Sequence, residues 1–304
     1  GAVGSFEKAL AIIEPLEESQ GRRYQLLLLE YGDYQRERQR YEESIALYSK
    51  ALELDRQSVQ PEELQTVKTL HNLACAYRDK GDLERAFEIF TETLARKERL
   101  LAADDASLAI TLNEFGGLCR LLGRFELAEA YLQRALRIRQ AQKESSPASY
   151  ARVLNNLSLV KQAVGERREA LRLIQESYQL FLKMYGPTHA ETVVPRMNLA
   201  QAHSSLGELE QAEQLYSEAL AVARSQYGAD SLEVATVLHN LGTLMLEMSD
   251  LEKAKLYLEQ ALADRLAQAF GHVEAVERDD AAHFRPHPED FRVVGAFGHR
   301  EHAA

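Results

Sequence analysis

Residues that break regular structure are scarce. The 304 residues include sixteen glycines and seven prolines, together about 8% against the roughly 12% of ordinary proteins. That excludes collagen-like and Gly/Pro-driven disordered chains, and it disfavours a sandwich or barrel with its many turns. There are two cysteines, Cys75 and Cys119, too few for a disulfide framework, so a reducing compartment and cytoplasmic location are expected. No apolar run approaches the ~18 residues of a membrane span; Leu26–Leu29 is a run of only four leucines. No secretory signal is expected either, because Gly1–Leu10 has no basic flank followed by a hydrophobic segment. Bases are outnumbered 47 to 36, leaving a net charge of −11, and such a body repels phosphate backbones. Neither nucleic acid nor membrane is therefore an expected partner. What the chain does have is apolar side chain, 45% of the total with 27% charged, enough to build a core.

These residues recur with a fixed period. Gly81-Asp82, Gly123-Arg124, Gly165-Glu166, Gly207-Glu208 and Ser249-Asp250 stand 42 residues apart each time. Five residues after each comes a small residue: Ala86, Ala128, Ala170, Ala212 and Ala254. Large residues follow at a further four (Phe90, Leu132, Ile174, Tyr216, Leu258) and eight positions (Leu94, Leu136, Tyr178, Leu220, Leu262), the apolar stripe of a helix. Upstream of the turns, Leu70, Leu112, Leu154 and Leu238 are followed after three residues by Leu73, Phe115, Leu157 and Leu241, and then by Ala74, Gly116, Ser158 and Gly242. The fourth copy carries Arg196 in the leucine position, next to Pro195, which predicts local distortion there. A weaker copy with Leu28, Tyr31, Gly32, Ser44, Tyr48 and Leu52 precedes the five. Each unit is a helix, a tight turn and a second helix, and the small residues let the two helices approach closely.

The run LHNLACAYRDKGDLERAFEIFTETL (Leu70–Leu94) and its four later copies resemble the tetratricopeptide repeat. The 42-residue period and the linkers at Tyr185–Val193 and Tyr227–Gly242 resemble the kinesin-light-chain type in particular. The likeness covers about residues 5–270. It implies an all-α fold, a right-handed superhelical solenoid of antiparallel helix pairs whose concave surface is lined by the first helix of every unit. The expected organisation is a half unit at 4–20, five to six full units to residue 270, and a weakly structured tail at 271–304 holding five of nine histidines. A short capping helix around Val273–His283 is expected within that tail. The unpartnered half unit and the first residue Gly1 predict that the natural chain extends upstream. Linker chemistry fits this reading. Gly186 and Gly228 suit left-handed positions after helix ends, Thr188-x-x-Glu191 and Asp230-x-x-Glu233 read as capping boxes, and Pro61 and Pro147 suit a first helical turn.

The period also selects the inner surface. One column reads Asn72, Glu114, Asn156, Asn198, Asn240, and its neighbour His71, Asn113, Asn155, Met197, His239. An Asn amide both donates and accepts, so a row of them either holds the main chain of an extended peptide or bonds a neighbouring unit. The resemblance implies cargo-contacting asparagines at such positions. Lys68, Arg78, Arg120 and Arg152 stand against Asp79, Glu114 and Glu247 on this face, four cations to three anions on an acidic body. An acidic peptide, or a free C-terminal carboxylate, would be drawn there, with Arg152, Asn155 and Asn156 as the central cluster. Leu26 and Leu29 fall on the inner face of the first full unit, as an apolar pocket or as packing for an upstream segment. Phosphate-binding loops, nucleophile elbows and zinc-ligand cysteine pairs are missing. His283 and His287 stand four apart, but Pro286 and Pro288 oppose a helix there, and Cys75 reads as a packed thiol. The expected function is a non-enzymatic protein-interaction scaffold without cofactor or metal. The alternatives are a regulatory arm of a larger signalling enzyme or transcription regulator, and self-association.

Overall fold

A computed structural model describes residue 8 and residues 17–57, 63–143 and 145–266. Every regular element among them is helical. The expected half unit at 4–20 and the tail at 271–304, with its capping helix and histidines, lie largely or wholly outside these residues, as does Pro61. The chain forms two compact units, Gly1–Ala219 and Leu220–Ala304.

The first unit is a right-handed solenoid of antiparallel helix pairs. Helices α1 (Glu17–Glu37) and α2 (Tyr41–Gln57), α3 (Glu63–Lys80) and α4 (Leu83–Leu100), α5 (Ala106–Leu121) and α6 (Phe125–Ala141), and α7 (Pro147–Ala163) and α8 (Arg167–Tyr185) pair in turn. A 3₁₀ turn at Ala190–Thr192 leads into α9 (Val193–Ser205), followed by α10 (Leu209–Tyr227), of which the residues to Ala219 belong to this unit. The intervals between paired helices are too short for anything but a reversal. In the second unit α11 (Leu232–Glu247) pairs with α12, residues 251–266.

The close approach of each pair follows from the small-residue column. A Cβ built on Gly116 would lie 2.6 Å from Leu132 Cγ, one on Gly242 2.6 Å from Leu258 Cγ, and one on Gly32 2.6 Å from the Tyr48 ring. The larger residues at the partner position fill the space left by the smaller ones. Phe90, Phe115 and Leu132 are fully buried, and Phe90 stacks on Phe115 at 5.5 Å between centroids. Leu29 is buried in a separate core cluster, with Tyr24, Leu28 and Tyr48. It is therefore no part of an inner-face pocket, whereas Leu26 is exposed.

Six turns share one backbone design. At Gln39, Gly81, Gly123, Gly165, Gly207 and Ser249, 42 residues apart, φ is positive. The amide of the residue after each donates to the carbonyl five residues before it, as in Arg40 to Gln35 and Asp82 to Tyr77 at 3.0 and 2.9 Å. Only glycine adopts this conformation without cost, so Gln39 and Ser249 are strained versions of the same turn. Gln39→Gly and Ser249→Gly should each raise stability by about 0.5–1 kcal/mol. An unchanged or lower denaturation midpoint would show the strain to be relieved elsewhere.

Two expected caps are corrected. Ahead of α9 His189, not Thr188, accepts from the Glu191 amide, at 3.1 Å, and caps a 3₁₀ turn. At α11 the cap is Ser231, which accepts from Val234 at 3.3 Å, not Asp230. Pro147 opens α7 as expected.

Candidate functional site

The inner-face candidates of the first unit lie on α1, α3, α5, α7 and α9, which touch one another in succession. A polar ladder crosses these contacts. Asn72 Nδ2 donates to Asp33 Oδ1 (3.0 Å), Asn156 Nδ2 to Asn113 Oδ1 (3.0 Å) and Asn198 Nδ2 to Asn155 Oδ1 (2.8 Å). Each of these asparagines thus reaches back to the unit before it. Glu114 occupies the same column and accepts from Arg78 and from Asn113 Nδ2, the latter at 3.2 Å. Arg78 also bonds Asp79 at 2.8 and 2.9 Å, and Arg36 donates to that same carboxylate at 3.2 Å. One line of contacts therefore runs Arg36, Asp79, Arg78, Glu114, Asn113, Asn156.

His71 is packed edge-on against Phe90 at 5.6 Å, with Nδ1 3.2 Å from the Thr111 hydroxyl and Nε2 3.8 Å from the Cys75 thiol. Burial, reinforced by the Lys97 cation, pushes the His71 pKa down to about 4. Burial likewise pushes the Cys75 thiol up to about 12, so it is not the thiolate that redox chemistry needs. Glu114 is different. Burial opposes its charge, but the Arg78 charge and hydrogen bond outweigh burial and hold it below the usual carboxylate range.

The cations divide into two sets. Arg36 and Arg78 are paired within the ladder. Arg120 stands 42 residues after Arg78, but Leu121 and Asn156 replace the acids at the equivalent of Asp79 and Glu114. It consequently has no ionic or hydrogen-bond partner among the described residues, and burial alone lowers its pKa. Lys68 is exposed and likewise unpartnered among the described residues. Arg152 is exposed and meets Glu191 at 3.1 Å, a contact worth at most ~1 kcal/mol. In the second unit His239 is exposed and Asn240 half-buried.

Two exposed apolar residues share the period of the cations. Ile110 and Val194 stand 42 residues from Lys68 and Arg152 and are 47% and 53% exposed. The same period that selects the cations would have found them, had apolar residues been allowed on this face. Among the described residues no group of three metal-ligating side chains converges, and no helix is long and apolar enough to cross a membrane. His283 and His287 lie outside those residues.

The sequence matches the tetratricopeptide repeat family over residues 23–99, 65–141, 149–225 and 195–267. Among curated proteins no match was found. Of solved structures, BtubC (BKLC) from P. vanneervenii superposes with a TM-score of 0.60 at 20% identity, covering 86% of this chain and 99% of its own. A putative kinesin light chain of Podosopora anserina, with nearly identical TPR-like repeats, gives 0.54 at 20% identity, covering 67% and 96%. A Rap protein complexed with competence and sporulation factor gives 0.59 at 14% identity, covering 81% and 76%. With paired helices, a 42-residue period and this match over most of its length, the chain belongs to the tetratricopeptide repeat family.

Proposed function

We propose that this protein is a non-catalytic interaction scaffold that holds an extended, acidic peptide segment of a partner along the inner face of its first unit. The observation that carries this reading is the uncompensated positive charge there. Lys68 and Arg120 have no partner among the described residues, on a chain of net charge −11. A half-buried guanidinium without a carboxylate gains more from an incoming anion than a solvated one. The asparagine ladder adds to this. Each carboxamide has two donor hydrogens and two acceptor lone pairs, so the bond from Asn198 to Asn155 or from Asn156 to Asn113 leaves capacity for a guest main chain. The ladder and the peptide site are then one set of groups, first locking the units together and then reading the guest. The Rap complex, whose partner is named as competence and sporulation factor, is a fold relative found with a ligand of its own.

The test is selection of a random peptide library on the full chain, followed by affinity measurement on two variants. Asn155→Ala with Asn156→Ala should weaken the selected peptides about tenfold or more. Because both residues also bond adjacent units, that variant should lose about 1–2 kcal/mol of stability while remaining folded. Arg152→Glu should weaken acidic peptides by a similar factor with little effect on stability. Selected peptides that bind both variants as tightly as the parent would remove the inner face from consideration.

A further inference from the structure

One column of the inner face does not take part in the ladder. It stands in the first half of each first helix and reads Leu26, Lys68, Ile110, Arg152, Val194, at 42-residue steps through α1, α3, α5, α7 and α9. All five are exposed; Leu26, Ile110 and Val194 stand 44%, 47% and 53% open to solvent. Apolar and cationic residues strictly alternate. A core requirement does not explain exposed aliphatics, and solubility does not explain their regular exchange with bases.

The spacing of the column limits what can lie on it. Helices in contact stand about 8–10 Å apart, so successive column residues are separated by about that distance. An extended strand advances ~3.3 Å per residue, and three residues cover the step, but in a strand every third side chain points to the opposite face. A polyproline II segment advances ~3.1 Å per residue with three residues per turn. It therefore returns a side chain to the same face every ~9 Å, the same interval as the column.

We propose that this column reads a thirteen-residue segment in polyproline II conformation, with apolar side chains at positions 1, 7 and 13 and acidic side chains at 4 and 10. This rests on the peptide-binding reading above and adds a register to it. The apolar residues meet Leu26, Ile110 and Val194, and the acids meet Lys68 and Arg152. Arg152 exchanges its exposed contact with Glu191 for the guest carboxylate. The column reads the same from either end, apolar, cationic, apolar, cationic, apolar, so it sets the register of the guest and not its direction.

The test uses the full chain and two synthetic peptides of equal composition. One carries leucine and glutamate alternating at every third position, and the other has the same residues at every fourth. The first should bind at least about tenfold more tightly. Lys68→Glu with Arg152→Glu should abolish that preference, and replacing the two glutamates of the peptide by lysine should restore it. Ile110→Asp should weaken the first peptide alone. Equal binding of the two peptides, binding indifferent to the charge reversal, or no binding of the first peptide each overturns the register. The peptide-binding reading is judged separately. Library-selected peptides that depend on Asn155 and Asn156 but ignore Lys68 would leave that reading standing and this one refuted.

Discussion

Replacing Arg196 by alanine should cost the fold about 3–5 kcal/mol, the largest loss expected of any single inner-helix substitution here. Arg196 occupies a column of leucines, yet its side chain is 3% exposed. Its guanidinium is satisfied by its surroundings. Nε donates to the Tyr178 hydroxyl at 2.8 Å, one terminal nitrogen to the Pro187 carbonyl at 2.8 Å and the other to the Glu218 carbonyl at 3.3 Å. The Glu218 carboxylate balances the charge at 3.8 Å. Truncation strands the buried tyrosine hydroxyl and leaves a cavity. Tyr178 itself departs from a leucine column, since Leu94, Leu136 and Leu220 stand at the equivalent positions. The two departures touch, so they should be coupled. Arg196→Leu with Tyr178→Leu restores the pattern of the other units and should be at least about 1 kcal/mol more stable than the two single losses sum to. Additive losses in a denaturation series would show that the pair does not act as a unit.

The second large effect is loss of stability in acid through His71. Its folded pKa is about 4, lowered first by burial and then by the Lys97, Arg78 and Arg36 charges, with Glu114 pulling the other way. An unfolded histidine titrates near 6.5. Above pH 6.5 both states are neutral and the group contributes nothing. Between about 6.5 and 4 the unfolded chain binds the proton and the folded chain does not, so stability falls as pH falls. The full loss below pH 4 is about 2–3 kcal/mol, allowing for the partial exposure of the ring. His71→Asn supplies the residue that Asn113 and Asn155 provide at the same position of the next two units. The parent should lose that much more stability than the variant between pH 6.5 and 4. Parallel curves would place the acid sensitivity elsewhere.

The fold was legible because its signal repeats: five Gly or Ser turns at a constant interval carry more information than any one helix. The sixth turn was obscured by Gln39, which adopts the same positive φ without being glycine. Caps were placed one residue early at Thr188 and Asp230 because the side chain that reaches the free amides is set by the path of the linker, which motif spacing does not encode. The distortion expected at Pro195 and Arg196 corresponds to the 3₁₀ turn at Ala190–Thr192 and the short α9. For the inner face, periodicity identified the asparagines but not their partners. Asp33, the acceptor for Asn72, lies outside both asparagine columns. Ile110 and Val194 were passed over because polarity was used to choose what periodicity alone would have included.

Arg196 also bears on how such a protein lengthens or shortens over time. At that position the other hairpins carry leucine, which asks only for apolar neighbours, so there duplication or loss of one exchanges like for like. The hairpin of α9 and α10 is different, since its guanidinium needs acceptors from the helix before it, the linker and the helix after it. It can be inherited, moved or deleted only together with Tyr178, Pro187 and Glu218, which makes it a fixed point in an otherwise extensible array.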